Sequence, residues 1–283
     1  MTITDIIKAF SKEVTRPVNI EGDPFGIDAT TEEITKLVNK PSDQLTANDF
    51  SGYLGYCTTG GDNDLRFLFP SILRIWESEL YKQDSWFTQY FHAELCRTDF
   101  IERALSERLK TVTIEFMVRA LSDRLNSETA LHVSGSSTHH NWFGQIASFG
   151  VYTKKIDMLW ELIWNSKKQG HTVAILQYLS CILYDTDNPI FTPWTCKKGG
   201  GAPTIWEYDS VGFEEHWKSE NLKYLSKALC SDTIRKWLNN THKRFDSQCI
   251  RKMAQDFIIK LDTDVHRVDQ RCANLISALS IPT

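Results

Sequence analysis

The chain lacks the sequence signatures that would assign it a chemistry. Its 283 residues contain no GxxxxGK[ST] phosphate loop, no GxSxG nucleophile turn, no HExxH zinc pair and no EF-hand calcium loop. The seven cysteines are an odd number, widely scattered, and include no CxxC pair, so no disulfide framework or zinc finger is indicated. We therefore expect no catalysis, no metal site and no cofactor, and we expect reduced, buried thiols.

Long apolar runs and an export signal are also missing. The start of the chain contains Asp5 and Lys8 where a signal peptide would need an unbroken apolar stretch. The longest apolar run, residues 173–184, is interrupted by Gln177 and Ser180 and is shorter than the roughly 20 residues of a membrane span. We expect a cytoplasmic protein that does not enter the membrane.

Strand patterns are absent, and helical spacing dominates the chain. No stretch alternates apolar and polar residues over six positions, and no Asn-Gly or Asp-Gly dipeptide joins two β-rich runs. Apolar residues recur instead at i, i+3, i+4 and i+7, and segment 173–184 is apolar almost all round, which predicts a central helix. We predict an all-α fold. One such amphipathic stripe is formed by Ile156, Leu159, Trp160 and Ile163.

Two segments sixteen residues apart are nearly alike. Residues 100–109 read FIERALSERL, residues 116–125 read FMVRALSDRL, and the β-branched break TVT lies between them at 111–113. Two consecutive helices joined by so short a turn must fold back on each other, which is the unit of stacked helical arrays. We therefore predict stacked antiparallel helical hairpins, resembling a helical repeat.

Local signals predict several helix boundaries. Thr46 and Asp49 have the spacing of a capping box, and Asp262 or Thr263 would start the last helix. Because proline in a helix interior loses a hydrogen bond and clashes with the preceding turn, we expect a break or a kink at Pro70. The simplest account is a break, with a short turn at 65–69 and Pro70 in the first turn of the next helix.

Two segments are predicted to be loops, and the first of them divides the predicted helices into two sub-bundles. Residues 131–141 (LHVSGSSTHHN) are small and polar and separate an N-terminal sub-bundle, 1–130, from a C-terminal one, 131–283. Residues 185–210 contain prolines and the glycine run 199–201, and they form a long loop inside the second sub-bundle. A loop of this length in a helical domain is typically functional or disordered.

One stretch resembles a known family. Residues 45–50 (LTANDF) and 58–73 (TTGGDNDLRFLFPSIL) are similar to a pattern shared by an uncharacterised family of bacterial all-helical proteins. That pattern has a leucine, an aspartate, Thr-Thr-Gly and an aromatic-rich turn ending in proline and leucine. The resemblance covers residues 35–125 and implies an all-α N-terminal half, with no known activity. The chain departs from the pattern at Phe69, where leucine is usual, and at Ser71, where a basic residue is usual.

Charge and aromatic residues favour a protein-binding role. Residues 221–283 carry eleven Lys and Arg against six Asp, a net +5, so the rest must carry −9 to give the total of −4. An acidic surface would steer a basic partner, and aromatic side chains in loops anchor protein partners. We predict a helical scaffold that binds another protein, as a bacterial immunity protein or inhibitor binds a basic toxin. The predicted partner-binding residues are Trp142, His139, His140, Trp194, Lys197, Lys198 and Trp206.

Two other functions remain as alternatives. The C-terminal helices carry Lys243, Arg244, Arg251 and Lys252, which would let them grip the phosphates of a nucleic acid. The histidines of loop 132–140 would support a metal-dependent hydrolase, because imidazoles bind zinc and shuttle protons near neutral pH. Aspartates intersperse the cations, and adjacent histidines do not easily ligate one ion, so protein binding is the preferred prediction.

Overall fold

The computed structural model describes residues 1–20, 22, 29–55, 62–82, 85–127, 149–183, 217–278 and 280. Within these ranges no residue lies in a β-strand and the regular structure is helical, so the all-α prediction is confirmed. None of the described helices combines the length and the apolar character that a membrane crossing requires.

The chain divides into two compact units. Unit 1 is Met1–Ala120 and unit 2 is Leu121–Thr283. The sub-bundle boundary predicted at 130/131 and the loop predicted at 185–210 both lie outside the described residues.

The described part of unit 1 is built from helices. They are α1 (Ile3–Phe10), α2 (Thr31–Asn39), a 3₁₀ turn (Ala47–Phe50), α3 (Ser51–Gly55), α4 (Asp62–Glu79), α5 (Trp86–Thr98), α6 (Phe100–Ala104) and the first part of α7 (Glu107–Asn126).

Helix α4 holds the core of unit 1 together, because it contacts α1, α2, α5 and α6. Its Phe69 and Trp76 are fully buried, and the ring of Phe91 on α5 lies 6.0 Å from Phe69 and 5.9 Å from Trp76. The ring of Phe100 lies 4.9 Å from Phe69, and the ring of Phe116 lies 6.4 Å from Trp76. We call these five side chains the closed aromatic cluster, since each is at most 1% exposed.

Threonine–carboxylate pairs start elements of unit 1, as predicted for Thr46 and Asp49. The backbone N–H and the hydroxyl of Thr46 both donate to Oδ2 of Asp49, each at 2.7 Å. The same arrangement starts α1 at Thr2 and α2 at Thr30. These pairs use backbone donors that a helix start otherwise leaves unpaired.

The predicted break at Pro70 is wrong. Helix α4 runs from Asp62 to Glu79 with Pro70 inside it. A proline in this position costs about 3 kcal/mol. The flanking Phe69 and Ser71 are buried, so we attribute the continuous helix to the packing of its apolar face.

The predicted helical hairpin of residues 100–125 is also wrong. Residues 111–113 lie inside α7, and the chain leaves the helix earlier, at Leu105 and Ser106. The hydroxyl of Thr111 donates to the carbonyl of Glu107 at 2.8 Å within the helix, and Thr113 is fully buried. Tertiary burial therefore outweighs the low helix propensity of these residues.

Unit 2 contains a second set of packed helices. They are the end of α7, a helical turn at 149–152, α8 (Ile156–Trp164), α9 (Gln169–Leu183), α10 (Ser219–Ala228), α11 (Ser231–Arg244) and α12 (Gln248–Ala278).

Helix α9 is deeply buried in unit 2, as its apolar sequence predicted. Its Leu176, Leu179 and Leu183 are fully buried. The long helix α12 packs against α9, α10 and α11, and α8 packs against α9 and α10. The backbone of α12 leaves the helical region at Asp264 (φ −127°, ψ 25°), within two residues of the start predicted at 262 or 263.

Asn221 fixes the start of α8 in unit 2. This side chain is 1% exposed, and its amide donates to the carbonyls of Gly150 at 2.7 Å and Thr153 at 2.6 Å. Its Oδ1 accepts a hydrogen bond from the N–H of Ile156 at 3.2 Å. Gly150 also lets the ring of Trp217 approach closely, because a Cβ at this position would lie 2.5 Å from Trp217 Cε2.

The described cysteines only partly match the prediction of reduced, buried thiols. Cys230, Cys249 and Cys272 are all free. Cys272 is buried, and burial raises the pKa of its thiol to about 12. Cys230 is half-buried and Cys249 is exposed, so the prediction of burial is wrong for Cys249.

Candidate functional site

A cleft of about 400 Å³ opens on unit 2, with walls from α8, α10 and α11. Its lining combines packed indole rings and an arginine, residue types that are enriched at interface hot spots, with two lysines. We call it the tryptophan cleft. Its floor and rim include Trp160, Trp164, Trp237, Lys227, Lys236 and Arg244.

Helical spacing brings two of the three indoles together, and tertiary packing adds the third. Trp160 and Trp164 are four residues apart on α8, so they lie on one face of the helix, and their rings stack at 5.0 Å with an interplanar angle of 17°. The ring of Trp237 on α11 lies 5.4 Å from that of Trp164. Trp160 is 9% exposed and Trp237 is 8% exposed, whereas Trp164 is half-buried. The stack is therefore anchored on its inner side and reaches solvent mainly through Trp164.

Two hydrogen bonds fasten α11 to the end of α8. The indole N–H of Trp237 donates to the carbonyl of Trp164 at 3.0 Å, and the guanidinium of Arg244 donates to the carbonyl of Ser166 at 3.0 Å. Carbonyls at a helix C-terminus have no partner within the helix, so these side chains satisfy acceptors that would otherwise need water. The two bonds hold the cleft walls at a fixed separation.

Glu161 is a fixed anion in the wall of the cleft. Its Oε1 accepts a hydrogen bond from the hydroxyl of Tyr224 at 2.8 Å, and its Oε2 accepts one from the amide of Asn165 at 2.7 Å. Burial, assisted by the hydrogen bond to Glu161 and by its negative charge, raises the pKa of Tyr224 well above its usual value. Tyr224 therefore stays protonated and holds the carboxylate in place at physiological pH.

The cations of the cleft are not neutralised by described carboxylates. Lys227 and Lys236 are exposed, and among the described residues no carboxylate forms an ion pair with either. Arg244 donates to a neutral carbonyl, and among the described residues no carboxylate forms an ion pair with it either. Three cations against the single carboxylate of Glu161 give the lining a net positive charge, which favours an anionic ligand.

The structure does not test the partner-binding residues predicted from the sequence. All seven of them, together with the histidine loop 132–140, lie outside the described residues, so those predictions and the hydrolase alternative stay predictions. In the part of the chain that the structure describes, no group of three or more His, Cys, Asp or Glu side chains could hold a metal ion. The predicted residues are Trp142, His139, His140, Trp194, Lys197, Lys198 and Trp206.

The cations predicted for nucleic-acid binding are exposed around the turn between α11 and α12. Lys243 and Arg244 end α11, and Arg251 and Lys252 lie in the first two turns of α12. The guanidinium of Arg251 donates to the carbonyl of Asp246 at 3.1 Å. The structure therefore brings all four near one turn, and only Arg244 also lines the tryptophan cleft.

Sequence reasoning missed most of the cleft. It assigned Trp160 to a buried helix stripe, which is correct but incomplete, and it gave no role to Trp164 or Trp237. The available signal was the i, i+4 spacing of Trp160 and Trp164, which places two indoles side by side. The contact with Trp237 joins residues 73 positions apart, and no local pattern reveals it.

Comparison of the chain with family models, with curated proteins and with solved structures gives no match. The interpretation of the site therefore depends on the geometry and charge of its own residues.

Proposed function

We propose that this protein is a helical scaffold that acts by binding another protein, and that the tryptophan cleft is a contact surface for the partner. The observation that carries the proposal is the group of packed indoles formed by Trp160, Trp164 and Trp237 on the floor of an open cleft, whose rim carries cations that no described carboxylate pairs. Trp, Tyr and Arg are the residues most enriched among those that dominate binding energy at protein interfaces.

The scaffold would consist of back-folded helix pairs in two sub-bundles. In unit 2, α11 and α12 are joined by residues 245–247 and pack against each other, which supports this arrangement. Side chains such as Trp237 and Arg244 bind backbone carbonyls near the end of α8. A cleft held in this way loses little conformational entropy when a partner binds.

The biological setting that we favour is neutralisation of a bacterial toxin by an immunity or inhibitor protein. Such a protein acts by stoichiometric binding and needs no reactive group. The overall charge of the chain favours a basic partner, whereas the tryptophan cleft favours a local anionic group. The two preferences are compatible, because a basic protein can present an acidic segment on its surface.

Nucleic-acid binding is a second candidate, and one observation favours it. Lys243, Arg244, Arg251 and Lys252 are all exposed and gather around one turn. Under this alternative, an Arg251→Ala/Lys252→Ala double variant would elute from immobilised single-stranded DNA at clearly lower salt than the wild type. Unchanged elution would exclude these residues as the binding site.

The proposal is tested with a partner captured by the immobilised protein, identified by mass spectrometry and then purified. We expect Trp164→Ala to weaken binding of the purified partner about 30-fold, or about 2 kcal/mol. The backbone carbonyl that accepts from Trp237 remains in this variant. Trp86→Ala is the matched control, since Trp86 is also half-buried but belongs to unit 1. Equal affinities of wild type and Trp164→Ala would reject the cleft as the contact surface.

A further inference from the structure

We infer that the tryptophan cleft takes an extended acidic peptide segment, whose two carboxylates meet Lys236 and Arg244 while an apolar side chain between them contacts Trp164. This inference rests on the proposed protein-binding function and names the chemistry of the bound segment.

The charge of the cleft selects an anion. Lys227 and Lys236 make no ion pair with a described carboxylate, and Arg244 uses one of its donors on the carbonyl of Ser166. A guanidinium has five N–H donors, so the others remain to bind a carboxylate in a forked geometry. Carboxylates of a partner would therefore complete charge-assisted hydrogen bonds that the free protein leaves to water.

The spacing of the cations sets the spacing of the carboxylates. Lys236 and Arg244 both line the cleft from α11 and are eight residues apart, which is about 12 Å along the helix axis. An extended chain advances about 3.3 Å per residue, so about four residues cover this distance. The side chain midway between the two carboxylates would lie over the aromatic floor.

The pattern of the bound side chains favours an extended segment, because alternate side chains of an extended chain lie on one face and both carboxylates and the residue midway between them can point into the cleft. An extended segment can insert one apolar side chain at Trp164 and leave its backbone at the rim. This arrangement fits a half-buried indole that faces solvent.

Glu161 favours a peptide over a nucleic acid. Its carboxylate is held in the cleft wall by Tyr224 and Asn165, directly beside Trp160. A nucleic-acid strand carries a negative charge on every nucleotide, so a phosphate would have to lie near this fixed anion. A peptide can place a neutral residue at the same point and its acidic residues elsewhere.

The test uses fluorescein-labelled, end-blocked peptides and anisotropy titrations at low ionic strength. One peptide has two glutamates four positions apart with a leucine midway and otherwise alanine and serine; a second has glutamines in place of the glutamates. We expect the glutamate peptide to bind at least tenfold more tightly. Lys236→Ala should weaken its binding about fivefold, whereas Lys243→Ala, an exposed lysine of the same helix outside the cleft lining, should not.

A charge exchange provides the most specific readout. Lys236→Glu should no longer bind the peptide with two glutamates. Replacing one of these glutamates by lysine gives two further peptides, and Lys236→Glu should bind the one whose lysine faces position 236. Circular dichroism at the binding temperature confirms that each variant is folded. Equal binding of the glutamate and glutamine peptides, no binding of either, or tighter Lys236-dependent binding of an oligothymidylate would each overturn the inference.

The peptide test and the partner test fail separately. If Trp164→Ala abolishes binding of the purified partner while glutamate and glutamine peptides bind alike, the proposed function stands and the acidic-segment inference is wrong. If the partner binds Trp164→Ala and wild type equally while the peptides behave as expected, the cleft is not the contact surface for that partner, and that part of the proposed function is wrong although the acidic-segment inference stands.

Discussion

The two units each contain a group of packed aromatic rings, but the two groups differ in access to solvent. In unit 1, every side chain of the closed aromatic cluster is at most 1% exposed. In unit 2, the rings of Trp160, Trp164 and Trp237 are packed at similar distances, yet Trp164 is half-buried and the group forms the floor of a cleft. Similar ring packing therefore supports a core in one unit and an accessible surface in the other.

The difference comes from the elements around each group. In unit 1, α4 contacts α1, α2, α5 and α6, and these neighbours enclose Phe69 and Trp76. In unit 2, the walls of the cleft carry Lys227 and Lys236, whose charges remain hydrated and cannot close over the rings. Aromatic content alone does not distinguish a core from a site, but the polarity of the surrounding side chains does.

The largest expected effect concerns the closed aromatic cluster. Phe69→Ala removes a fully buried ring that lies 4.9 Å from Phe100 and 6.0 Å from Phe91, and we expect it to lower the free energy of unfolding by about 4 kcal/mol. Urea denaturation followed by circular dichroism measures the loss. A loss as small as that of Trp86→Ala, which truncates a half-buried ring, would show that the cluster is not closed.

The second prediction tests whether unit 2 also contains a closed aromatic site. Gly150→Ala places a Cβ 2.5 Å from the rigid ring of Trp217, which is 4% exposed, and we expect a loss of about 2 kcal/mol in the free energy of unfolding. The control is Gly52→Ala, where a Cβ meets nothing within 4 Å, and a small gain in stability is expected there. Thermal denaturation of both variants checks the prediction, which fails if the two glycines tolerate alanine equally.

The third prediction concerns a titratable group beside the closed aromatic cluster. His92 is fully buried and its Nε2 accepts from the indole N–H of Trp76 at 3.1 Å, and burial lowers its pKa from 6.5 to about 3. Below pH 6.5 the unfolded chain binds a proton at His92 that the folded chain excludes. The contribution of the buried, neutral His92 to the free energy of unfolding is therefore complete above pH 6.5 and is lost as the pH falls toward 3. We expect a loss of about 1.4 kcal/mol per pH unit in that range.

The measurement for His92 is the slope of unfolding free energy against pH between 6 and 4. His92→Gln removes the titrating group, so its slope should be lower than that of the wild type by about 1.4 kcal/mol per pH unit. Equal slopes for the two proteins would show that His92 does not titrate on unfolding. The comparison of slopes holds even if the variant is less stable at every pH.

The smallest expected effect on stability concerns the open group of rings. Trp164 is half-buried and its backbone carbonyl still accepts from Trp237 after truncation, so Trp164→Ala should cost about 1 kcal/mol or less in unfolding free energy. Urea denaturation under the conditions used for Phe69→Ala gives the direct comparison. A loss approaching that of Phe69→Ala would place Trp164 in the core and remove the contrast between the two units.

Predictions from sequence succeeded where a local pattern coincides with the tertiary environment. The capping box of Thr46 and Asp49 was predicted correctly because its partners are three residues apart. The burial of α9 followed from its apolar sequence in the same way. Pro70 and the segment 111–113 were predicted wrongly, because burial of neighbouring side chains outweighs an unfavourable local propensity.

The candidate site was less accessible to sequence reasoning. The amphipathic stripe that includes Trp160 was recognised, but the cleft needs α8, α10 and α11 to meet, and the bond from Trp237 to Trp164 joins residues 73 positions apart. Of the cations named for nucleic-acid binding, Arg244 alone lines the cleft, because its helix turns that side chain toward the end of α8.

The sequence by itself determined the helical class of the described residues, several helix starts and the apolar character of α9, because these depend on interactions between residues a few positions apart. Only the tertiary structure decided which aromatic residues are enclosed and which remain accessible. Exposure depends on the charge and size of side chains that distant segments bring next to a ring. For this reason Phe69 is fully buried and Trp164 only half-buried, although both are aromatic residues on helices.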